Sequence, residues 1–365
     1  MEQDGLQSGQ RRGVVRYGVI AMLFVLSTIN YADRATMSIA GGPMQADLGI
    51  STIQMGYIFS AFGWAYVFSQ IPGGVLIDRF GTKIVYLGSI ILWSLFTLAQ
   101  GFVVGVTAYT AMIIFFLLRL MLGVAEAPAF PANARIVATW FPMSERGTAT
   151  AIFNSAQYFA LVAFAPAMAW VTQTFGWHYV FIFMGSVGIL VGLLFAATVY
   201  PPLQHPWLGK NELDHMRSGG ALIDEPSGSS NVSTQGFKWS TIRQLFGHRL
   251  LLSAYAGQYF INALTYFFST WFPLYLIKEH GMSVLQAGFA SVLPAAFGWV
   301  GGILGGVWTD WLLRRGASLT LARKLPIAAG AILSSVIFLC NFTSSEALVM
   351  IFITLEVAWG IWTSG

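Results

Sequence analysis

Two pairs of oppositely charged residues stand where an apolar sequence has least use for charge. Asp33 and Arg34 are adjacent, near the end of a run that climbs from Val14 through Ile20, Leu23 and Ile29 and continues through Met37 and Ile39. Arg119 and Glu126 lie in a second such run, Leu118 to Pro128, seven positions apart; that is almost two helical turns, so a helix puts both on one face. Arginine offers a permanent charge and a fork of donors matched to carboxylate. A carboxyl group exchanges a proton, since burial disfavours the ionised form and a neighbouring arginine favours it. A carboxylate that takes up a proton releases its arginine for another anion. The four residues can therefore couple proton binding to anion binding, with Asp33 and Glu126 as the proton sites. The plainer reading is two ion pairs that lock helices together, but desolvation makes buried pairs poor stabilisers.

The elements that must position these charges are membrane spans. Of 365 residues, 56% are hydrophobic and only 9% charged, against the roughly 25% charged of soluble domains. About 20 apolar residues cross a bilayer core, which puts Asp33 and Arg34 some two-thirds of the way across. A charge at that depth costs on the order of 3 kcal/mol or more, so the pair faces protein or water rather than lipid. The apolar runs are continuous rather than alternating, which excludes an outer-membrane barrel. Cys340 is the single cysteine, leaving no disulfide framework and no Cys-based metal cluster. The five histidines sit at span ends or in loops, so no metal site is expected. No G-x-x-x-x-G-K phosphate loop occurs, which argues against an ATP-driven pump, and nothing reads as an enzyme. The net charge of +4 is not a nucleic-acid footprint, because the basic residues lie between spans. The first run is too long for a cleavable signal peptide and reads as a span.

The fold expected is an all-α polytopic membrane protein of two six-helix halves, the second incomplete. A cytoplasmic tail covers 1–14. Six spans fill a bundle over 15–199, at 15–40, 53–77, 84–105, 108–138, 147–172 and 178–199. Residues 200–247, rich in Pro, Gly and Ser, form a linker. Four spans follow within 248–365, at 250–277, 286–311, 324–342 and 346–365. The last run carries no stop signal, which gives about 10 spans of an expected 12. Lysine and arginine gather on one side, with Lys278 alone on the other, so the N-terminus and the linker are expected to be cytoplasmic.

An internal repeat supports two halves. Gly73-Gly74-Val75-Leu76-Ile77-Asp78-Arg79-Phe80-Gly81-Thr82-Lys83 follows span two, and Gly305-Gly306-Val307-Trp308-Thr309-Asp310-Trp311-Leu312-Leu313-Arg314-Arg315-Gly316 follows span eight. Two readings stand for this loop. Gly74, Asp78, Arg79, Gly81 and Asp310 form a latch at the cytoplasmic gate, or the bases only follow the positive-inside rule. Polar residues near the charges suit a hydroxylated ligand: Tyr31, Tyr66 and Gln70, then Asn154, Ser155, Gln157 and Tyr158, then Gln258, Asn262, Tyr266 and Trp271.

The first copy of the loop resembles the signature G-x-L-x-D-R-x-G-x-K of the major facilitator superfamily. Tyr31-Ala32-Asp33-Arg34, the Ser60 to Gly74 stretch, Arg119 to Pro131, and Trp140-Phe141-Pro142 with Glu145-Arg146 look like the anion:cation symporter family within it. The resemblance runs from about Arg12 onward and is strongest to bacterial hexonate and hexarate carriers. It implies proton symport of a sugar acid such as galactonate, glucarate or galactarate by alternating access. It implies Asp33 and Glu126 as proton sites, Arg34 and Arg119 on the anion, and Tyr31, Tyr66 and Gln157 in the pocket. Spans eleven and twelve are expected to be absent, and Glu356 lies outside the pattern. No cofactor is implied beyond protons as coupling ion. The partners expected are the organic anion, protons and the lipid bilayer, for a monomer in a bacterial-type inner membrane. Other organic anions, aromatic acids or hexuronates, stay open as substrates, as does a sensor descended from a transporter.

Overall fold

The computed structural model describes residues 15–223 and 270–360 except 344, with 247, 251, 252, 255–257, 259, 263, 266 and 267 between them. The tail over 1–14, the linker over 224–246, Gln258, Asn262 and the last five positions lie outside the described residues. Everything regular among the described residues is helical. The first bundle comprises α1 (Val15–Leu48), α2 (Thr52–Phe80), α3 (Thr82–Gln100), α4 (Ala108–Glu126), α5 (Ala129–Trp140), α6 (Arg146–Phe175) and α7 (Trp177–Thr198). After it come α8 (Lys210–Ser218), α9 (Phe272–His280), α10 (Val284–Ala290), α11 (Val292–Arg314), α12 (Leu319–Ser334), a 3₁₀ segment (Ser335–Phe342) and α13 (Glu346–Gly360). Six helical stretches among the described residues are long and apolar enough to cross a membrane by length and composition.

The run expected as one span over 108–138 is one such stretch, Ala108–Trp140, divided within its length into α4 and α5. Pro128 has no backbone N–H to continue the ladder, and the chain steps over Ala127 and Pro128 before α5 begins. The expected span over 324–342 starts earlier, at Leu319 with Ser318 as its cap, and finishes as the 3₁₀ segment.

Helices approach closely where glycine leaves room. α1 packs on α6 and α7, α2 on α4, and α3 on α7 and α4. A Cβ on Gly123 of α4 would meet the carbonyl oxygen of Phe62 at 2.6 Å and the nitrogen of Tyr66 at 3.0 Å, both backbone atoms of α2. Gly185 of α7 stands in the same relation to α3, 2.7 Å from the nitrogen of Leu98 and 2.7 Å from the oxygen of Ser94.

Buried apolar side chains of the first bundle form two cores. One holds Leu23, Leu26, Trp93, Leu122, Trp140 and Phe153. The other holds Met37, Met44, Phe59, Phe115, Met168 and Phe181. Asp33, Arg34, Arg119 and Glu126 belong to the level between them.

Two sets of contacts reach the bundle from the rest of the chain. At the Leu48 end of α1, Leu274 and Ile277 of α9 lie against Gly41 and Gly42. There Trp271 meets Phe59 ring to ring at 4.9 Å and Lys278 Nζ donates to Thr52 Oγ1 at 2.9 Å. Gly288 of α10 sits on Ala165 and Ala169 of α6. At the opposite end α8 is docked, with Met216 wholly buried. The Met143 nitrogen donates to the Gly219 oxygen at 2.9 Å, and the Arg16 guanidinium pairs with Glu145 at 3.0 Å.

Candidate functional site

The level between the two cores is where α1 and α4 bring charge together against aromatic rings of α2. Arg34 Nε donates to Glu126 Oε2 at 2.9 Å, joining two residues 92 positions apart. Glu126 has no exposed surface, while the Arg34 side chain keeps 22% of its own. Such a pair carries a direction of access: its acid is sealed and its base borders a space that a ligand can reach.

Aromatic rings hold both guanidiniums. Arg34 Cζ lies 4.6 Å from the Tyr66 ring centre, 5.1 Å from Tyr31 and 5.2 Å from Phe62. Arg119 Cζ lies 5.1 Å from the same Phe62. A guanidinium over a ring face gains electrostatic attraction that strengthens when water is excluded. Arg119 is buried, and its Nε has no hydrogen-bond partner.

Asp33 points the other way on α1. Its Oδ2 accepts from Thr97 Oγ1 of α3 at 2.5 Å, while Oδ1 is buried without a partner. Glu126 Oε1 is likewise buried and unpartnered. Each acid thus has one oxygen held and one free to carry a proton.

Beside Arg34 a narrow cleft opens, lined by Asn30, Tyr31, Tyr66, Tyr86, Asn133 and Asn154 among others. Gln157, expected in this pocket, is half-buried one turn further along α6 and does not line the cleft. Phe62, Thr97 and Asn133 were not singled out from the sequence. Phe62 is one turn before Tyr66, a spacing that could have flagged it, whereas Thr97 in an apolar run carries no such signal.

At the far end of α2, Asp78 accepts from Arg135 Nη1 of α5 at 2.8 Å, so its partner lies within the same bundle. Arg79 rests over Phe80, and Gly81 takes a left-handed φ of 86° where α2 turns into α3. Gly74 has open space where a Cβ would be, and it is Gly73 that meets Pro128 at 3.2 Å. Asp310 falls near the end of α11, and its side chain lies outside the described residues. The Asp78 carboxylate is 63% exposed, and exposed pairs contribute only about 0–1 kcal/mol. Asp78→Asn is therefore expected to shift thermal unfolding by no more than a few degrees. A larger loss would mean that this pair holds α2 on α5.

Glu356 of α13 is 2% exposed, and its Oε2 is buried without a hydrogen-bond partner. No group of His, Cys, Asp and Glu among the described residues could hold a metal ion.

With this geometry established, comparisons place the chain. The family model described as Major Facilitator Superfamily matches residues 23–365. The chain is 51% identical over 349 residues to the probable galactarate/D-glucarate transporter GudP of Escherichia coli K12, covering 95% of this chain and 78% of that one. It is 38% identical over 340 residues to the D-galactonate transporter of E. coli O6:H1, covering 93% of this chain and 77% of the other. Among solved structures, a bacterial homologue of the human lysosomal transporter Spinster, inward-facing and unoccupied, superposes with a TM-score of 0.69 at 20% identity. That match covers 96% of this chain and 74% of the homologue.

Proposed function

Because the chain belongs to the major facilitator superfamily, a family of multi-pass membrane transporters, we propose that it carries a sugar acid across the membrane together with protons. The substrate is a hexonate or hexarate of the kind its relatives are named for, galactarate, D-glucarate or galactonate. The observation that supports this most is the buried Arg34–Glu126 pair at 2.9 Å, an acid and a base that a proton can separate. In the proposed cycle a proton on Glu126 releases Arg34 for the substrate carboxylate. Asp33, beside Arg34 in sequence, takes the second proton. Arg119 adds positive potential across Phe62, and Tyr31 and Tyr66, which line the cleft, contact the hydroxylated chain.

The two bundles, 15–199 and 248–365, rock about this level, joined by the 200–247 linker on the cytoplasmic side. The closure at the Leu48 end of α1 suits a state open toward the N-terminal end, with the Gly74–Gly81 loop and Asp310 at the cytoplasmic gate. The carrier acts as a monomer in a bacterial inner membrane and needs no cofactor beyond the protons.

Uptake by the protein in liposomes, acidic outside, tests the reading with labelled glucarate, galactarate, galactonate, a hexuronate and an aromatic acid. One of the three named sugar acids is expected to accumulate, and a protonophore to abolish the accumulation. Uptake no different from empty liposomes, or indifferent to the protonophore, would overturn it. Preference for the hexuronate or aromatic acid would reassign the substrate within the same mechanism.

A further inference from the structure

The cleft beside Arg34 holds more polar capacity than the ion pair uses. Ser27, Asn30 and Arg34 follow one another at intervals of three and four on α1 and so share a face. Opposite them α5 presents Asn133, which donates from Nδ2 to Ser27 Oγ at 3.1 Å and leaves Oδ1 buried without a partner. Asn30 Nδ2 is also buried with no partner within hydrogen-bond distance, and the Glu126 carboxyl stands beside it. Both residues are more than nine-tenths buried, at 6% and 5% exposure, and both line the cleft together with Arg34. An amide donor and an amide acceptor thus face one small space, one helical turn from a guanidinium. The space itself takes about one water molecule.

A hydroxyl group is the ligand that matches this set. It donates one hydrogen bond and accepts others, so it can satisfy Asn133 Oδ1 and Asn30 Nδ2 at once. Asn30 and Arg34 are four residues apart on α1, about 6 Å of rise, so the hydroxyl and the carboxylate of one ligand can reach both. In a 2-hydroxy acid the hydroxyl sits on the carbon next to the carboxylate. We infer that Asn30 and Asn133 form a subsite for the hydroxyl adjacent to the carboxylate held by Arg34, so that the carrier selects 2-hydroxy acids over their deoxy counterparts. The inference rests on the proposed transport of sugar acids. It adds which hydroxyl is read and by which side chains.

The other polar groups facing the cleft are placed differently. Tyr66 stacks on Arg34, and Tyr86 packs edge-on to Phe195 at 5.2 Å. Neither leaves a buried, unpartnered atom in the cleft, whereas both amides do. A site built to bond a hydroxyl rejects the analogue lacking it strongly, because the buried amides are then left unpaired.

The test compares glucarate with 3,4-dihydroxyadipate, which keeps the inner hydroxyls and both carboxylates but lacks the two hydroxyls next to them. Liposomes with the full protein are expected to favour glucarate at least tenfold in uptake at low concentration. Asn30→Leu and Asn133→Leu are each expected to reduce that preference to threefold or less, by losing more glucarate uptake than uptake of the deoxy acid. Transport of the deoxy acid also reports that each variant is folded. Should a leucine variant not be recovered, Asn133→Asp, which keeps an acceptor oxygen, is expected to hold the preference, and Asn30→Ala to lose it. Wild-type protein that takes both acids equally, or variants that lose both in proportion, would overturn the subsite and assign the amides to support of Glu126. Failure to import any sugar acid would instead overturn the transport reading itself, so the two failures are told apart.

Discussion

Replacing Glu126 by glutamine is expected to abolish accumulation driven by a pH gradient while leaving exchange of substrate down its own gradient. One pH unit is worth about 1.4 kcal/mol per coupled proton, or tenfold in concentration. Wild type is expected to reach at least that ratio in liposomes, and Glu126→Gln to stop near equal concentrations on the two sides. Glutamine retains an oxygen that can accept from Arg34 Nε, where the acid now sits at 2.9 Å, so the bundle keeps much of its geometry. Glu126→Ala is the harsher change. It leaves the Arg34 guanidinium without its acid, and losing one partner of a buried pair costs about 3–5 kcal/mol. That variant is expected to fail in folding as well as in coupling. The assignment of Glu126 as a proton site would not survive a glutamine variant that concentrates substrate as well as wild type.

The second large effect is steric. Gly123→Ala places a methyl group 2.6 Å from the Phe62 carbonyl oxygen and 3.0 Å from the Tyr66 nitrogen. Both are backbone atoms, so no rotamer change relieves the contact and α2 must move off α4. Helix propensity favours alanine over glycine by about 1 kcal/mol. Overpacking costs about 1–3 kcal/mol and prevails here. The displaced segment carries Phe62 and Tyr66, the rings against both guanidiniums, so the shift reaches the charged level directly. A misplacement of about 1 Å can cost a hundredfold in rate, and uptake is expected to fall by more than tenfold, with a drop of several degrees in unfolding temperature. Gly74→Ala is the control. No atom lies within 4 Å of its Cβ position, so stability is expected to hold or rise slightly. Equal behaviour of the two variants in thermal unfolding, or full uptake by Gly123→Ala, would show that the approach of α2 to α4 does not govern the site.

Much of the helical frame was legible because lipid forces apolar stretches to be continuous. The run expected over 178–199 is α7, Trp177–Thr198. Its start follows Gly176, whose φ of 104° suits glycine and turns the chain out of α6. The division of the fourth span was less legible. Hydropathy runs through Pro128, and proline alone is no signal, because Pro43, Pro72 and Pro166 lie inside continuous helices while α4 stops just before Pro128.

Charges were legible for the same reason: an arginine or acid in an apolar run is too costly to be incidental. Their companions were not. Phe62 in a run of apolar residues reads as core, and it is core on one side while bracketed by two guanidiniums. Thr97 reads as a helix residue bonded to its own backbone, yet its hydroxyl reaches Asp33. Asp78 stood out by motif, but its partner Arg135 is 57 positions away on α5, and no spacing rule connects them. What escapes the sequence in each case is a contact made by the packing of different helices.

The level between the two apolar cores also has an electrical meaning. Most of the membrane voltage falls across the low-dielectric interior, and moving one elementary charge through it is worth about 2.3 kcal/mol per 100 mV. With both acids ionised, Asp33, Glu126, Arg34 and Arg119 sum to zero. In the proposed cycle these four groups then carry no net charge through the field when the empty carrier changes its opening, so this site adds no voltage dependence to the return. In the same proposed cycle the loaded carrier moves whatever imbalance remains between protons and carboxylates, so a measured voltage dependence of uptake would count the two against each other.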